Sequence, residues 1–293
     1  MHFVTLGDFL HYASDRLQQA PVYFGHGTDN AWDEAVLLAA FVLQIPPNGD
    51  SSLLTQPLST RESHQLLLLL NERIESGKPL PYLTQEAWFA GLRFFVDERV
   101  IIPRSPIAEL ILEKFQPWLG PSEPKQILDL CTGSGCLAIV CAKMFPSAQI
   151  TAVDLSTDAL EVAKRNVSLH DCSHIRILQS DVFSACQQER YDVIISNPPY
   201  VSDVEMRSLP KEYGFEPNMA LEAPNNGLAV VQKIIEQAPQ YLNDPGLLIL
   251  EVGNSAEAFE KTFTQLPVTW VDCESGGEGI FICRWENKQW QDF

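Results

Sequence analysis

The stretch QILDLCTGSGC (126–136) decides the fold. Its first five residues form a short, nearly continuous apolar run, the signature of a strand buried on both faces of a parallel sheet. Gly133 and Gly135 follow, and two glycines so placed allow a tight turn and close ligand approach before a helix begins. Reading outward, QITAVDL (149–155), HIRILQS (174–180), YDVIIS (191–196) and GLLILEV (246–252) repeat the motif, with amphipathic helical stretches between them. Alternation of this kind implies a doubly wound, mostly parallel α/β sheet with crossover helices. The end, PVTWVDCESGGEGIFICRW (267–285), reads strand, Gly-Gly turn, strand, so the last strand should run antiparallel.

Upstream the periodicity is helical. TLGDFLHYASDRL (5–17), NAWDEAVLLAAFVL (30–43) and STRESHQLLLLLNERI (59–74) carry apolar residues at three- and four-residue spacing, and Ser59 with Glu62 makes a capping-box signature. Aromatic and branched residues flank Ala90-Gly91 in EAWFAGLRFFVDERVIIPR (86–104), which predicts a hairpin linker. The expected organisation is a helical domain over 1–85, a hairpin linker over 86–104 and an α/β domain over 105–293. Ser105 and Pro106 are expected to open the α/β domain's first helix as cap and first-turn proline.

Composition narrows the class. At 293 residues and 45% hydrophobic, the chain is long enough for two cores. The longest aliphatic run is the five leucines 66–70, and the start MHFVTLGDFL is not a basic segment followed by an apolar one; a cytoplasmic protein without a membrane partner is expected. Seven cysteines lack the close CxxC pairing of zinc sites, so no metal centre is predicted and the thiols are read as reduced and structural. With 38 acidic against 20 basic residues the formal charge is −18, which disfavours a nucleic-acid backbone and suits a basic partner.

Ligands of open sheets bind beyond the carboxyl ends of the strands. There the sequence places Gly133 and Gly135, then Asp154 about 20 residues on, a distance suited to a ribose diol, and Asp181 in SDVF (180–183). A pocket for an adenosine-containing cofactor follows. Gly133, Gly135 and Ala138 match the dinucleotide pattern, so NAD is formally open, but Asp129 just before the loop would repel a pyrophosphate and suits the ammonium of a methionine moiety. Asp154 has an alternative reading as a cap of the helix after it. His26 reads as a packed or capping loop histidine.

DLCTGSG (129–135), Asp154, Ser180-Asp181 and NPPY (197–200) together resemble a class I S-adenosylmethionine-dependent methyltransferase acting on a planar, conjugated amino nitrogen. The resemblance implies cofactor contacts from Asp129, Cys131, Thr132, Gly133, Ser134, Gly135, Asp154, Asp181, Val182 and Asn197. It further implies that Asn197, Pro198, Pro199 and Tyr200 bind the substrate, with the Asn197 side-chain oxygen and the Pro198 carbonyl accepting the two amino hydrogens and Tyr200 covering the substrate's flat face. Cys131 stands where most members have glycine, at a position expected not to need positive φ. Val182 stands where some relatives carry a tryptophan beside the adenine, with Phe183 adjacent.

NPPY also occurs in enzymes that modify nucleic-acid amino groups, so the whole-chain pattern must choose the substrate. A helical N-terminal domain, a hairpin linker ending VIIPR and the NPPY domain resemble the HemK-like protein glutamine methyltransferases. That resemblance implies transfer to a glutamine side-chain amide of a translation protein. PRSPIAE (103–109), in place of Pro-Asp-Thr-Glu after the linker arginine, and FGHGTDNAWDEA (24–35) resemble the branch acting on the third protein of the large ribosomal subunit, a basic protein; release factors are the alternative substrate. Arg104 is a candidate substrate-side residue, with an ion pair to a carboxylate as the other reading.

Overall fold

The computed structural model describes residues 2–286 apart from 121, 188 and 275, so the last seven residues of the span 105–293 lie outside the described residues. The chain forms two compact units, one of Met1–Ala87 with Pro210–Phe215 and one of Trp88–Leu209 with Glu216–Phe293.

In the first unit, helices α1 (Leu6–Gln19), α2 (Ala31–Leu43), α3 (Thr60–Ser76) and the short α4 (Leu80–Thr84) pack around Phe9, Leu17, Leu38, Leu66 and Leu70, all fully buried. Each such side chain contributes about 1.5–3 kcal/mol of burial. The caps are local. Ser59 and Glu62 close a capping box at α3, Thr5 and Asp8 a second at α1, and Asn30 accepts from Asp33 N at α2. Arg73 is 1% exposed, a placement tolerable only with partners. Its Nε donates to Glu34 Oε1 at 2.7 Å and its Nη2 to the Tyr23 carbonyl at 3.0 Å, while Glu212 of segment 210–215 lies 3.9 Å away and accepts from Tyr23 N at 2.6 Å. His26 is buried with its ring 4.6 Å from that of Tyr213, a packed loop histidine.

The hairpin β1 (Glu86–Phe89) and β2 (Leu92–Phe95) turns at Ala90 and Gly91, with φ of 50° and 74°. Beyond it come α5 (Ile107–Leu112), β3 (Gln126–Leu130), α6 (Cys136–Met144), β4 (Gln149–Asp154), α7 (Thr157–Leu169), β5 (Arg176–Gln179) and β6 (Tyr191–Ser196). The short α8 (Asp203–Met206) and α9 (Asn218–Leu221) precede α10 (Ala229–Tyr241), β7 (Leu242–Glu251), α11 (Ala256–Thr262), β8 (Val268–Val271) and β9 (Ile280–Trp285). The seven strands order β5-β4-β3-β6-β7-β9-β8; the first five are parallel and β9 runs antiparallel to both neighbours. This is the doubly wound sheet with an antiparallel end that the sequence predicts.

Two apolar layers cover the sheet, one centred on Ile127, Ile139 and Ile195, the other on Leu128, Ile194 and Ile235. β7 starts four residues earlier than its apolar run, pairing Leu242 with Tyr191 across a register shift. One buried polar side chain joins the hairpin to the glycine loop. Asn166 on α7 accepts from Phe95 N at 2.7 Å and donates to the carbonyls of Phe95 and Ser134, both at 2.9 Å. All its hydrogen-bonding positions but one are thereby used, and the loop after β3 is pinned from behind.

Candidate active site

From β3 the chain winds outward through β4 and β5, then returns to place β6 on the other side of β3. At such a reversal the loops after adjacent strands diverge and leave a crevice. A cavity of about 290 Å³ occupies it, lined by Cys131 and Gly133 after β3, Asp154 at the end of β4, Asp181 and Val182 after β5, and Asn197 and Pro199 after β6. These predicted residues are brought together.

The loop after β3 is held by two carboxylates. Asp129 is fully buried; its Oδ2 accepts from Thr132 Oγ1 at 2.5 Å and from Ala138 N at 3.1 Å, whereas its Oδ1 has no hydrogen-bond partner among the described residues. Burial pushes its carboxyl up to about 7 against those two donors. Asp154 accepts from Gly133 N through Oδ2 and from Ser156 N through Oδ1, both at 2.9 Å, and burial raises its carboxyl as well. It is not the cap of α7. Ser156 fills that role, accepting from Ala159 N at 3.2 Å. A Cβ built on Gly133 would meet nothing within 4 Å, so the loop backbone presents an open face.

Several expectations need correction. Cys131 does occupy positive φ, at 57°, because the chain bends off the end of β3 immediately; Val182 does the same after β5, at 52°. A non-glycine residue there costs of order 1–3 kcal/mol, and the surrounding packing over-determines it. Phe183 does not reach the cavity: it is fully buried and stacks on Tyr241, with ring centroids 4.4 Å apart. The cap of the first α/β helix starts one residue later than its serine suggests, although Ser105 Oγ accepts from Ile107 N at 3.3 Å. Asp129, Thr132, Ser134, Gly135, Pro198, Tyr200 and Arg104 are not among the lining residues. Arg104 instead forms a two-pronged pair with Glu216, at 2.5 and 2.7 Å, and Glu216 also accepts from Ile102 N. Arg104 thus has an ion-pair partner, but the partner is the buried Glu216 rather than a carboxylate on the surface.

Sequence reasoning missed one wall. Arg99, Val100 and Ile101 of the linker and Pro217, Met219 and Ala220 around α9 complete the cavity. DERVIIPR signals a strand-like linker, and nothing in its local pattern aims Arg99 at the glycine loop. Arg99 is clasped by Asp97, with contacts of 2.8 and 2.6 Å, which neutralises it. The remaining charged lining groups are Asp154, Asp181 and Glu222, all acidic; Asp181 pairs with Lys233. Such a wall repels phosphate and accepts cations and hydroxyls. Asn197 lines the cavity, and its carboxamide makes no hydrogen bond among the described residues, so its donor and acceptor are available to a ligand. Among the described residues no group of His, Cys, Asp and Glu could hold a metal and no helix is long and apolar enough to cross a membrane.

Comparison with known proteins agrees with this architecture. The family described as Methyltransferase small domain matches residues 107–210. The catalytic domain of hMettl16 in complex with MAT2A 3'UTR hairpin 1 has the same fold at a TM-score of 0.52, 16% identity, and coverage of 86% of this chain and 91% of that one. The ribosomal protein uL3 glutamine methyltransferase of Francisella tularensis subsp. tularensis (strain SCHU S4 / Schu 4) is 41% identical over 284 residues, 96% of this chain and 90% of that protein. Its counterpart from Bordetella pertussis (strain Tohama I) is 45% identical over 280 residues, 95% of this chain and 94% of that protein. With 41–45% identity sustained over 95–96% of its length, the chain belongs to the family of ribosomal protein uL3 glutamine methyltransferases.

Proposed function

We propose that this protein transfers the methyl group of S-adenosylmethionine to the side-chain amide nitrogen of a glutamine in ribosomal protein uL3. The observation that carries the reading is the meeting of Asn197, from NPPY, with Asp154 and Gly133 in one acidic cavity. The residues fit the cofactor. Asp129 does not line the cavity, but its buried Oδ1 has no hydrogen-bond partner among the described residues, which a cationic donor reaching it would relieve, and Asp154 keeps lone pairs for ribose hydroxyls after taking two backbone N–H groups. A pyrophosphate would meet these same carboxylates unfavourably.

When bound, S-adenosylmethionine supplies an electrophilic methyl group on a sulfonium. The protein must supply orientation and electron density. A glutamine amide nitrogen is a poor nucleophile because its lone pair is delocalised into the carbonyl. Asn197 Oδ1 and the Pro198 carbonyl accept its two hydrogens, which enriches the nitrogen and aligns it for in-line attack. Pro198, lacking N–H and fixed in φ, holds its carbonyl in place, and Tyr200 covers the amide plane. Held by Asn197 and Pro198, the amide nitrogen would take the methyl group from the sulfonium as the carbon–sulfur bond breaks, leaving the thioether product, and would release one amide proton to solvent. Arg104 is proposed to act on the substrate side indirectly, by fixing Glu216 beside the segment that leads to Pro217 and Met219 of the cavity wall. The helical unit selects the protein substrate, and the net charge of −18 attracts a basic one in the cytoplasm.

Radiolabelled S-adenosylmethionine added to lysate of a strain lacking this protein tests the reading. Label is expected in a single basic ribosomal protein, at glutamine. Label in RNA or DNA, or in release factors, would reassign the acceptor; NAD binding without S-adenosylmethionine binding would overturn the cofactor.

A further inference from the structure

Glu251 is the last residue of β7, one position beyond the pairing of Leu250 with Ser196, and so stands beside the point where β6 becomes NPPY. Its side chain is buried, and both carboxylate oxygens are spoken for. Oε1 accepts from the Tyr200 phenol at 2.8 Å and Oε2 from the Ser105 hydroxyl at 2.6 Å. Ser105 belongs to the PRSP segment of the linker's end, and is itself 5% exposed. The Tyr200 backbone is held too: Ser255 Oγ donates to its carbonyl at 2.7 Å. Space around the residue is exhausted, since a Cβ on Gly227 would lie 2.0 Å from the Tyr200 carbonyl oxygen and one on Gly253 2.4 Å from its ring.

A fold that only had to fill this space could use phenylalanine and an apolar partner. Burying a carboxylate is costly, and burial does push the Glu251 carboxyl up, opposed by its two hydroxyl donors and Arg104. What the arrangement provides is direction. A phenol bonded to a fixed charged acceptor has one ring orientation, whereas a phenylalanine in the same slot keeps only its packing.

We propose that Glu251, braced by Ser105, is a positioning residue for methyl transfer: it fixes the ring of Tyr200 so that the amide plane of the acceptor is held square to the incoming methyl group. The proposal rests on the amide-methylating reading above. It gives PRSP (103–106), where the linker meets the α/β domain, a role in the reaction, because Ser105 carries the position of the linker's end to the NPPY turn through one carboxylate.

Two measurements test it. Single-turnover rates at saturating S-adenosylmethionine, with uL3 as acceptor, should fall about tenfold for Glu251→Gln, which strips the Tyr200 bond of its charge and turns one of the two acceptor oxygens into a donor, and for Tyr200→Phe, which removes that bond. The double variant should be no slower than the slower single variant, because both act through the same bond. Cofactor affinity should stay within about twofold of wild type in each. Losses that multiply to about a hundredfold, or a wild-type rate in Glu251→Gln, overturn the proposal. The second measurement needs no acceptor. In protein carrying tyrosine labelled with ¹³C at Cζ, the Tyr200 resonance, identified by its loss in Tyr200→Phe, should shift in Glu251→Gln and in the milder Ser105→Ala; an unmoved resonance overturns the tether. If wild-type enzyme labels no uL3, the acceptor assignment fails, and the tyrosine spectrum still decides the tether.

Discussion

Removing the Asp154 carboxylate separates its two jobs. In the structure it accepts Gly133 N and Ser156 N at 2.9 Å each, so it braces the glycine loop before any ligand arrives. Its proposed second job is the ribose. Asp154→Ala strips the ribose of a charge-assisted hydrogen bond, about 1.5–3 kcal/mol, which predicts S-adenosylmethionine affinity reduced roughly 10- to 150-fold. The same change leaves two partly buried N–H groups unpaired, at about 1–3 kcal/mol in total once water reaches them. At about 2–4 °C per kcal/mol for a unit of this size, the melting temperature should drop by roughly 2–12 °C. Asp154→Asn should fall between, because its oxygen still serves one N–H while its NH₂ opposes the other. Calorimetric titration with S-adenosylmethionine, paired with thermal unfolding of the ligand-free protein, reads both terms. A lower melting temperature with affinity unchanged within twofold would show that Asp154 is a loop brace alone, and the ribose assignment would fall.

Other consequences follow from the same geometry. Asn197→Ala should slow single-turnover transfer by about 10²–10³ with cofactor affinity much less affected, while Asn197→Asp, which keeps an acceptor oxygen, should retain measurable transfer; a wild-type rate in the Ala variant would refute the amide grip. Asp129 titrates at about 7 in the fold against 3.8 in its absence, so between those values the native state holds a proton the unfolded chain has released. Its contribution therefore makes the ligand-free protein less stable as pH rises from about 4 to 7, with a limiting slope of about 1.4 kcal/mol per pH unit, and adds no slope above 7. Denaturant midpoints of wild type minus Asp129→Asn across that range should show this slope, and a flat difference would refute the assignment. Arg73→Met should destabilise the helical unit by about 3–5 kcal/mol by taking from the buried Glu34 its ion-pair partner, measurable by urea unfolding, and Arg73→Met with Glu34→Leu should recover much of it. Exchanging residues 1–85 for the corresponding segment of a release-factor enzyme should leave cofactor affinity nearly unchanged and reduce transfer to uL3; equal transfer would place selectivity in the α/β unit.

The sheet and the candidate residues at its carboxyl edge were legible because each depends on neighbours in sequence. Apolar runs of strand length separated by helical periods dictate parallel crossovers, and Gly133, Asp154, Asp181 and Asn197 lie at strand ends, so any doubly wound sheet must gather them at its carboxyl edge. Cap signatures such as Ser59 with Glu62 are local in the same way. What only the tertiary structure decided involves partners far apart in the chain. Arg99 at the cavity wall, Arg104 on Glu216, Glu251 between Tyr200 and Ser105, and Arg73 between Glu34 and Glu212 are contacts across tens of residues or more, which no local period encodes. The left-handed backbone at Cys131 and Val182 belongs with them. Neither residue favours positive φ, and only the packing of the loops around the strand ends makes that conformation the one of lowest free energy.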